Sequence, residues 1–462
     1  SCAMSQSGSR SLRDLILAKA NRRQVLGAAA LGIAGRAALG SLPAAAQDAT
    51  PAPVELPRFD GETLNFMIIQ PHAVTGDILK AEFEALTGAT VNLTTVPYDE
   101  VQAKAILDVQ SGANEFDVFD YWYTTIGALA SQGIIEDLTE WIESDPDIDP
   151  SDFISSIFDV YTLYDGRRWG LPYDGDAHVL FYNTEIFEKL GLSAPQTWDD
   201  YLTAAKTITE AGLETEDGQP IYGASLMGFK APIILGSSYA NRLAGFGGSF
   251  LDADGNPALD SEAAIQAAQA LIDVAPYALP TPLETAFEQA LPAFLSGQVA
   301  MQEFWTDLGV YAQDPEGSKV VDKWDVVQMP VGGSNTTHVA PLNAGFGFAV
   351  STGSKNKELA RAFIKFATSK SFHLKMLLTT GSGIDPMRLS GLNSPQYTEF
   401  APKVQAAASA ALSGVLPWPT IPQSPDLMTK LADELALALQ GSQDAEATMR
   451  NVQEAWVQIL GA

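Results

Sequence analysis

An α/β architecture of two units in tandem is predicted for this chain by three observations. Short, near-continuous apolar runs alternate with capped amphipathic segments between residues 61 and 133, the pattern of an open parallel sheet covered on both faces. The alternation resumes after residue 178. Between the two lies a polar turn, residues 170–176, punctuated by Gly170 and Pro172. It carries Asp174, Gly175 and Asp176 just ahead of His178 and the apolar run 179–182. A segment that leaves one unit, carries acids and starts the next is placed to line a cleft.

The first unit opens with the apolar run 64–69. Thr75 caps a helix running to Leu86, with Ile78, Leu79, Phe83 and Leu86 on one side and Gly88 as its stop. Residues 91–96 form a second strand. Asp99 caps a second helix that turns Val101, Ala105, Ile106 and Val109 inward before Ser111-Gly112 ends it. A third strand at 117–119 and a helix from Ile126 to near Gly133 complete the unit. Ligands of such sheets bind beyond the carboxyl ends of the strands. That rule singles out Gln70-Pro71-His72 after the first strand and Asp120-Tyr121-Trp122-Tyr123 after the third. Aromatic faces beside an acid suit sugar rings.

In the second unit a helix at 185–190 stops at Gly191, and Thr197 caps the helix 198–211. The helical stretch 233–243 carries Tyr239. A helix, a stop at Gly297 and a strand at 299–301 put Glu303-Phe304-Trp305-Thr306-Asp307 where a ligand-facing loop belongs. Strands at 326–329 and 345–350 flank the loop 330–343, which ends at Asn343. Two amphipathic helices follow, then a loop, 381–388, that ends at Arg388. This planar five-donor group suits an oxygen-rich ligand or, equally, a neighbouring acid. Helices at 428–439 and 447–460 close the chain.

Lys+Arg 27 against Asp+Glu 56 gives a net charge of −29, which argues against nucleic acid or an anionic membrane surface as partner. Cys2 is the single cysteine, and His72, His178, His338 and His373 show no paired spacing, so no metal or other cofactor is expected. Asp252-Ala253-Asp254-Gly255-Asn256 resembles the start of a calcium loop. It lacks the closing glutamate and runs into Pro257, so it reads as a hairpin turn. There is no dinucleotide fingerprint, no GxSxG and no phosphate loop. Asp174 and Asp176 are the remaining enzymatic candidates, as glycosidase carboxylates. Two acids two residues apart on a loop need not face one sugar at the separation of about 5–9 Å that hydrolysis requires. These motifs give no support to an enzyme.

The first 46 residues read as an address. Arg22-Arg23 precede a weakly hydrophobic Ala/Gly-rich run, 27–42, and then Ala44-Ala45-Ala46, a small-x-small cleavage pattern. Paired arginines before such a run resemble a twin-arginine export signal. No cysteine follows, so no lipid anchor is expected, and no later segment is long and apolar enough to span a bilayer. Cleavage after Ala46 removes six basic residues and one acid, leaving 21 basic against 55 acidic and a net charge of −34. Residues 47–60, with three prolines, read as a flexible lead-in.

Four stretches carry a resemblance to a known family. They are Leu171-Pro172-Tyr173-Asp174 with Leu180-Phe181-Tyr182-Asn183; Pro195-Gln196-Thr197-Trp198-Asp199-Asp200; Phe294-Leu295-Ser296-Gly297-Gln298-Val299-Ala300-Met301; and Gly345-Phe346-Gly347-Phe348-Ala349-Val350-Ser351 with Ser354-Lys355-Asn356-Lys357-Glu358. In this order and spacing they resemble the extracellular solute-binding proteins of ATP-driven importers, the sugar-binding group that includes maltose-binding protein. The resemblance implies a type II periplasmic-binding-protein fold of two lobes joined by hinge crossovers. The N-terminal lobe is expected at 61–172 plus 331–392, and the C-terminal lobe at 173–330 plus 393–462. It implies a periplasmic monomer that hands a carbohydrate to the membrane subunits of an ABC permease. A polyamine-like cation, or an anionic sugar held by Arg388, stands as the alternative. With the strand-end clusters, the candidate ligand-contacting residues are Gln70, His72, Asp120, Tyr121, Trp122, Asp174, Asp176, Tyr239, Trp305, Asp307, Asn343, Gly345 and Arg388. The register of Asp120-Tyr121-Trp122-Tyr123 differs from that of maltose binders, which points away from maltose itself.

Overall fold

The computed structural model describes residues 50–461; the stretch 1–46, expected to be an export signal, lies outside the described residues. Residues 50–59 form no helix or strand, yet Phe59 is buried and its amide donates to the Thr87 carbonyl at 2.7 Å. The expected flexible lead-in is thus pinned to the core at its end. No described helix is long and apolar enough to cross a membrane.

Two sheets organise the chain. The first has five strands in the order Thr90–Val96, Thr63–Ile69, Val118–Trp122, Phe346–Val350, Leu171–Asp174. Its first three are parallel, and Phe346–Val350 runs antiparallel to both neighbours. All but the edge strand Thr90–Val96, where buried and exposed residues alternate, are largely buried. Phe66 meets Phe348 and Phe363 at ring-centroid distances of 5.4 and 4.7 Å, and Phe83 packs on Phe363 at 5.0 Å. The helix Ala73–Thr87 ends on Gly88 in the left-handed region (φ 76°), as its position required.

The second sheet has the order Trp324–Val327, His178–Asn183, Val299–Trp305, Tyr222–Ala224. Only the last pair is parallel, so this sheet is mixed where a parallel one was expected. Parallel pairing needs a crossover back to the same end of the sheet. Apolar runs alone do not record that choice. Thr197 and Asp200 form a capping box at the start of Trp198–Glu210, as the spacing predicted. The turn at Asp252 is the expected hairpin-like turn, with the Asp252 carboxylate accepting from the Asp254 and Asn256 amides.

Asp174 closes a strand of the first sheet and His178 opens one of the second, so the chain crosses in Gly175-Asp176-Ala177. It returns between Val327 and Phe346. The last two helices, Ser424–Leu439 and Ala445–Leu460, pack together and against Glu262–Val274.

Candidate functional site

A cleft holding about 460 Å³ of space, part of it open to solvent, lies between the two sheets. Ile69, Pro71, His72, Tyr98, Ala344 and Phe346 line it from the first side, and Ile233, Ile234, Phe287, Trp305 and Asp307 from the second. Asp176 enters from the crossing segment, and Gly383 and Asp385 from the loop before Arg388. The walls are apolar and aromatic, and the floor is acidic. This is where the strand-end rule places a ligand.

Trp305 ends the strand Val299–Trp305 and is held from behind by a polar network. Its Nε1–H donates to the Asn343 carbonyl at 2.6 Å, and its ring meets His178 edge-on at 4.7 Å. The Asn343 side chain donates to Asn241 Oδ1 (2.8 Å) and accepts from Trp418 Nε1 (3.0 Å). Asn241 in turn donates to Glu303, which forms a two-pronged pair with Arg242 at 2.9 Å on each prong. Arg242 is fully buried over the Trp198 ring, 4.4 Å from its centroid. Because every member is buried and paired, the network fixes rotamers that solvent-exposed groups would not hold.

The acids come from three segments. Asp174 Oδ1 accepts from the Asp385 amide at 2.7 Å, and Asp176 Oδ2 accepts from the Gly345 amide at 2.8 Å. Asp385 Oδ1 accepts from the Thr306 hydroxyl. Burial, then mutual repulsion, raises the Asp176 pKa well above the carboxylate range, and burial and Asp385 do the same for Asp307. Asp174 is raised chiefly by burial, and Asp385 is pushed up to about 7 by burial and Asp174. His72 stands 3.5 Å from Asp174, but burial lowers its pKa to about 3, so the ring is neutral and this is not an ion pair. Its Nδ1 lies 2.6 Å from the Tyr173 hydroxyl, which donates to Asp120 at 2.9 Å.

Of the thirteen residues named from sequence, His72, Asp176, Trp305 and Asp307 line the cavity together. Asp174, Asn343 and Gly345 stand just behind, each bonded to one of the cavity-lining residues Asp385, Trp305 and Asp176. The others are elsewhere. Gln70 is exposed beside His72. Asp120 is buried under the first strand, accepting from the Ile69 amide. Tyr121 is core, its hydroxyl spent on the Tyr161 carbonyl at 2.8 Å. Period-2 alternation turns it to the face opposite Asp120 and Trp122. Trp122 is half-buried, bonded to the Ala344 carbonyl and packed on Trp418 at 5.1 Å. Tyr239 is fully buried against the Ala264 carbonyl. Arg388 is fully engaged in the core, stacked 3.9 Å over Phe153 and donating to the Thr368 and Ile148 carbonyls and to Asp152.

Sequence reading missed Asp385, Phe287, Phe346 and the Ile233-Ile234 pair. Asp385 carried a signal, since it sits in the same Gly-rich loop as Arg388, three residues earlier. The others look like ordinary core residues, because the same apolar side chains build a cavity wall and a core.

Gly345 shows how close the elements come. Its φ is +87°, and a Cβ there would overlap the Tyr161 hydroxyl. Gly345→Ala is expected to destabilise the fold by more than about 2 kcal/mol, from steric overlap and a left-handed backbone. A urea titration followed by circular dichroism measures it; an unchanged midpoint would refute the crowding.

Residues 72–371 match the family model described as bacterial extracellular solute-binding protein. The chain belongs to that family. This solute-binding protein is 26% identical over 366 residues, 78% of its length and 80% of the relative's, to a probable amino-acid ABC transporter periplasmic-binding protein of Sinorhizobium fredii. It is 25% identical over 403 residues, 80% and 82% of the two chains, to the erythritol/L-threitol-binding protein of Mycolicibacterium smegmatis. A solute-binding protein of Agrobacterium radiobacter K84, crystallised with ribitol, superposes with TM-score 0.77 at 26% identity, covering 87% of this chain and all of that one. Maltose-bound MalE3 of T. maritima, at 22% identity and TM-score 0.77, shares the two-lobed α/β fold.

Proposed function

We propose that this solute-binding protein captures a small polyhydroxylated solute, a single sugar or an open-chain polyol, and delivers it to an ABC permease. The cavity carries this reading. Its aromatic and aliphatic walls take the carbon skeleton, and Asp176, Asp307 and Asp385 accept hydroxyl hydrogens. The relatives and solved neighbours named for polyols support the same class. An amino acid is disfavoured because, among the described residues, no Lys or Arg lines the cavity to receive a carboxylate. Binding without turnover, export through a twin-arginine signal cleaved after Ala46, and monomeric action outside the cytoplasmic membrane complete the proposal. In it the lobes meet at the crossings and close on the solute by a hinge.

Isothermal calorimetry against ribitol, erythritol, mannitol, glucose, maltose, putrescine and glycine tests it. A polyol or monosaccharide is expected to bind tightest, with maltose weaker. Binding of glycine or putrescine alone, or hydrolysis of a bound glycoside, would refute the reading.

A further inference from the structure

The acids on the cavity floor lack a counter-charge. One oxygen of each of Asp174, Asp176 and Asp385 is anchored by an amide or hydroxyl, and the three carboxylates offer oxygens within 4.8 Å of one another. Asp174 Oδ2 and Asp385 Oδ2 are buried with no hydrogen-bond partner, and Asp385 itself lines the open cavity. Asp307, on the same cavity, adds a fourth carboxylate. Among the described residues no Lys or Arg lines the cavity, and the basic side chain there, His72, is held neutral by burial. A neutral polyol would satisfy lone pairs but leave the acids protonated, whereas a cation would let them ionise.

From this geometry we infer that the natural solute carries a positive charge: an amino polyol or amino sugar whose ammonium sits among Asp176, Asp307 and Asp385. The inference rests on the polyhydroxyl reading above and narrows it. An ammonium offers three donors at about 2.8 Å, a reach that suits the oxygens of Asp176 and Asp385, which lie within 4.8 Å of each other, with Asp307 on the same cavity. The carbon body then lies against Trp305, Phe287 and Phe346, on the walls of the same cavity. A bare metal ion would use Asp174, Asp176 and Asp385 but leave those aromatic walls without an occupant. Raised carboxylate pKa values accord with the same need, since the closed cluster holds protons until a cation replaces them.

The test is calorimetry on the purified chain at neutral pH with two matched pairs: D-glucitol against 1-amino-1-deoxy-D-glucitol, and D-glucose against D-glucosamine. The amino member of at least one pair is expected to bind about tenfold or more tighter, as charge-assisted bonds do. Asp385→Asn is expected to collapse that ratio to below about threefold. Should D385N fail to fold, D307N carries the same expectation. A neutral member that binds as tightly as its amino partner overturns this inference and leaves the polyhydroxyl reading standing. Calcium or magnesium chloride alone raising Tm, with EDTA reversing it, overturns it in favour of a metal site. If no member of either pair binds and the wider panel also fails, both readings fall.

Discussion

Arg388→Ala is expected to cost about 3–5 kcal/mol of stability, the usual consequence of breaking a buried, hydrogen-bonded charge pair. Arg388 is 1% exposed. Its Nε donates to the Thr368 carbonyl at 2.7 Å, Nη2 to the Ile148 carbonyl at 2.9 Å and Nη1 to Asp152 at 3.2 Å. The guanidinium also lies flat over Phe153. Alanine would strand two carbonyls, remove the partner of Asp152 and leave a void beneath the ring. Arg388→Lys is expected to recover only part of the loss, since a single ammonium cannot reach three directions in one plane. Chemical denaturation reports the stability. Calorimetry at a temperature where the variant is folded is expected to show solute affinity within about twofold of the parent, because none of the hydrogen-bond or stacking partners of Arg388 lines the cavity. A normal unfolding midpoint with lost affinity would return Arg388 to the cleft.

Trp305→Ala is expected to weaken solute binding by about 2–4 kcal/mol, roughly 30- to 1,000-fold in Kd, the range of a buried aromatic anchor. Its ring supplies a cavity wall, and its Nε1–H ties the second sheet to the returning segment at Asn343. Trp305→Phe separates the two roles. It keeps a ring and loses the hydrogen bond, so a loss nearer to about 1 kcal/mol is expected. The alanine variant also leaves a gap beside Phe304, Phe287 and His178, so affinity is measured well below its unfolding midpoint. Wild-type affinity in a folded Trp305→Ala would show that this ring is not the stacking face.

Local structure was legible where a residue's own chemistry decides it. Gly88 ends its helix because the chain must turn left-handed there, and Thr197 with Asp200 caps its helix through bonds three residues apart. Strand-end logic located His72, Trp305 and Asp307, because the direction of a strand can be read from the helix that follows it. Tyr121 and Tyr239 misled because an aromatic beside a cleft and one inside a core have the same sequence signature. The side of the sheet decides, and for Tyr121 that depends on register. Arg388 misled for a related reason. All its partners but Thr368 lie far off in the chain: Ile148, Asp149 and Asp152 are more than 230 residues away.

The sequence by itself determined the alternating α/β elements, the crossing near Asp174 and Asp176, the acidic character and the family pattern, all of which rest on short-range chemistry or composition. Only the tertiary structure decided the mixed direction of the second sheet, the network from Arg242 through Asn343 to Trp305, and the gathering of Asp174, Asp176, Asp307 and Asp385 at one cavity. Those acids lie on segments up to about two hundred residues apart. Their shared burial is what raises their proton affinities, and burial is a property of the packed chain rather than of any stretch within it.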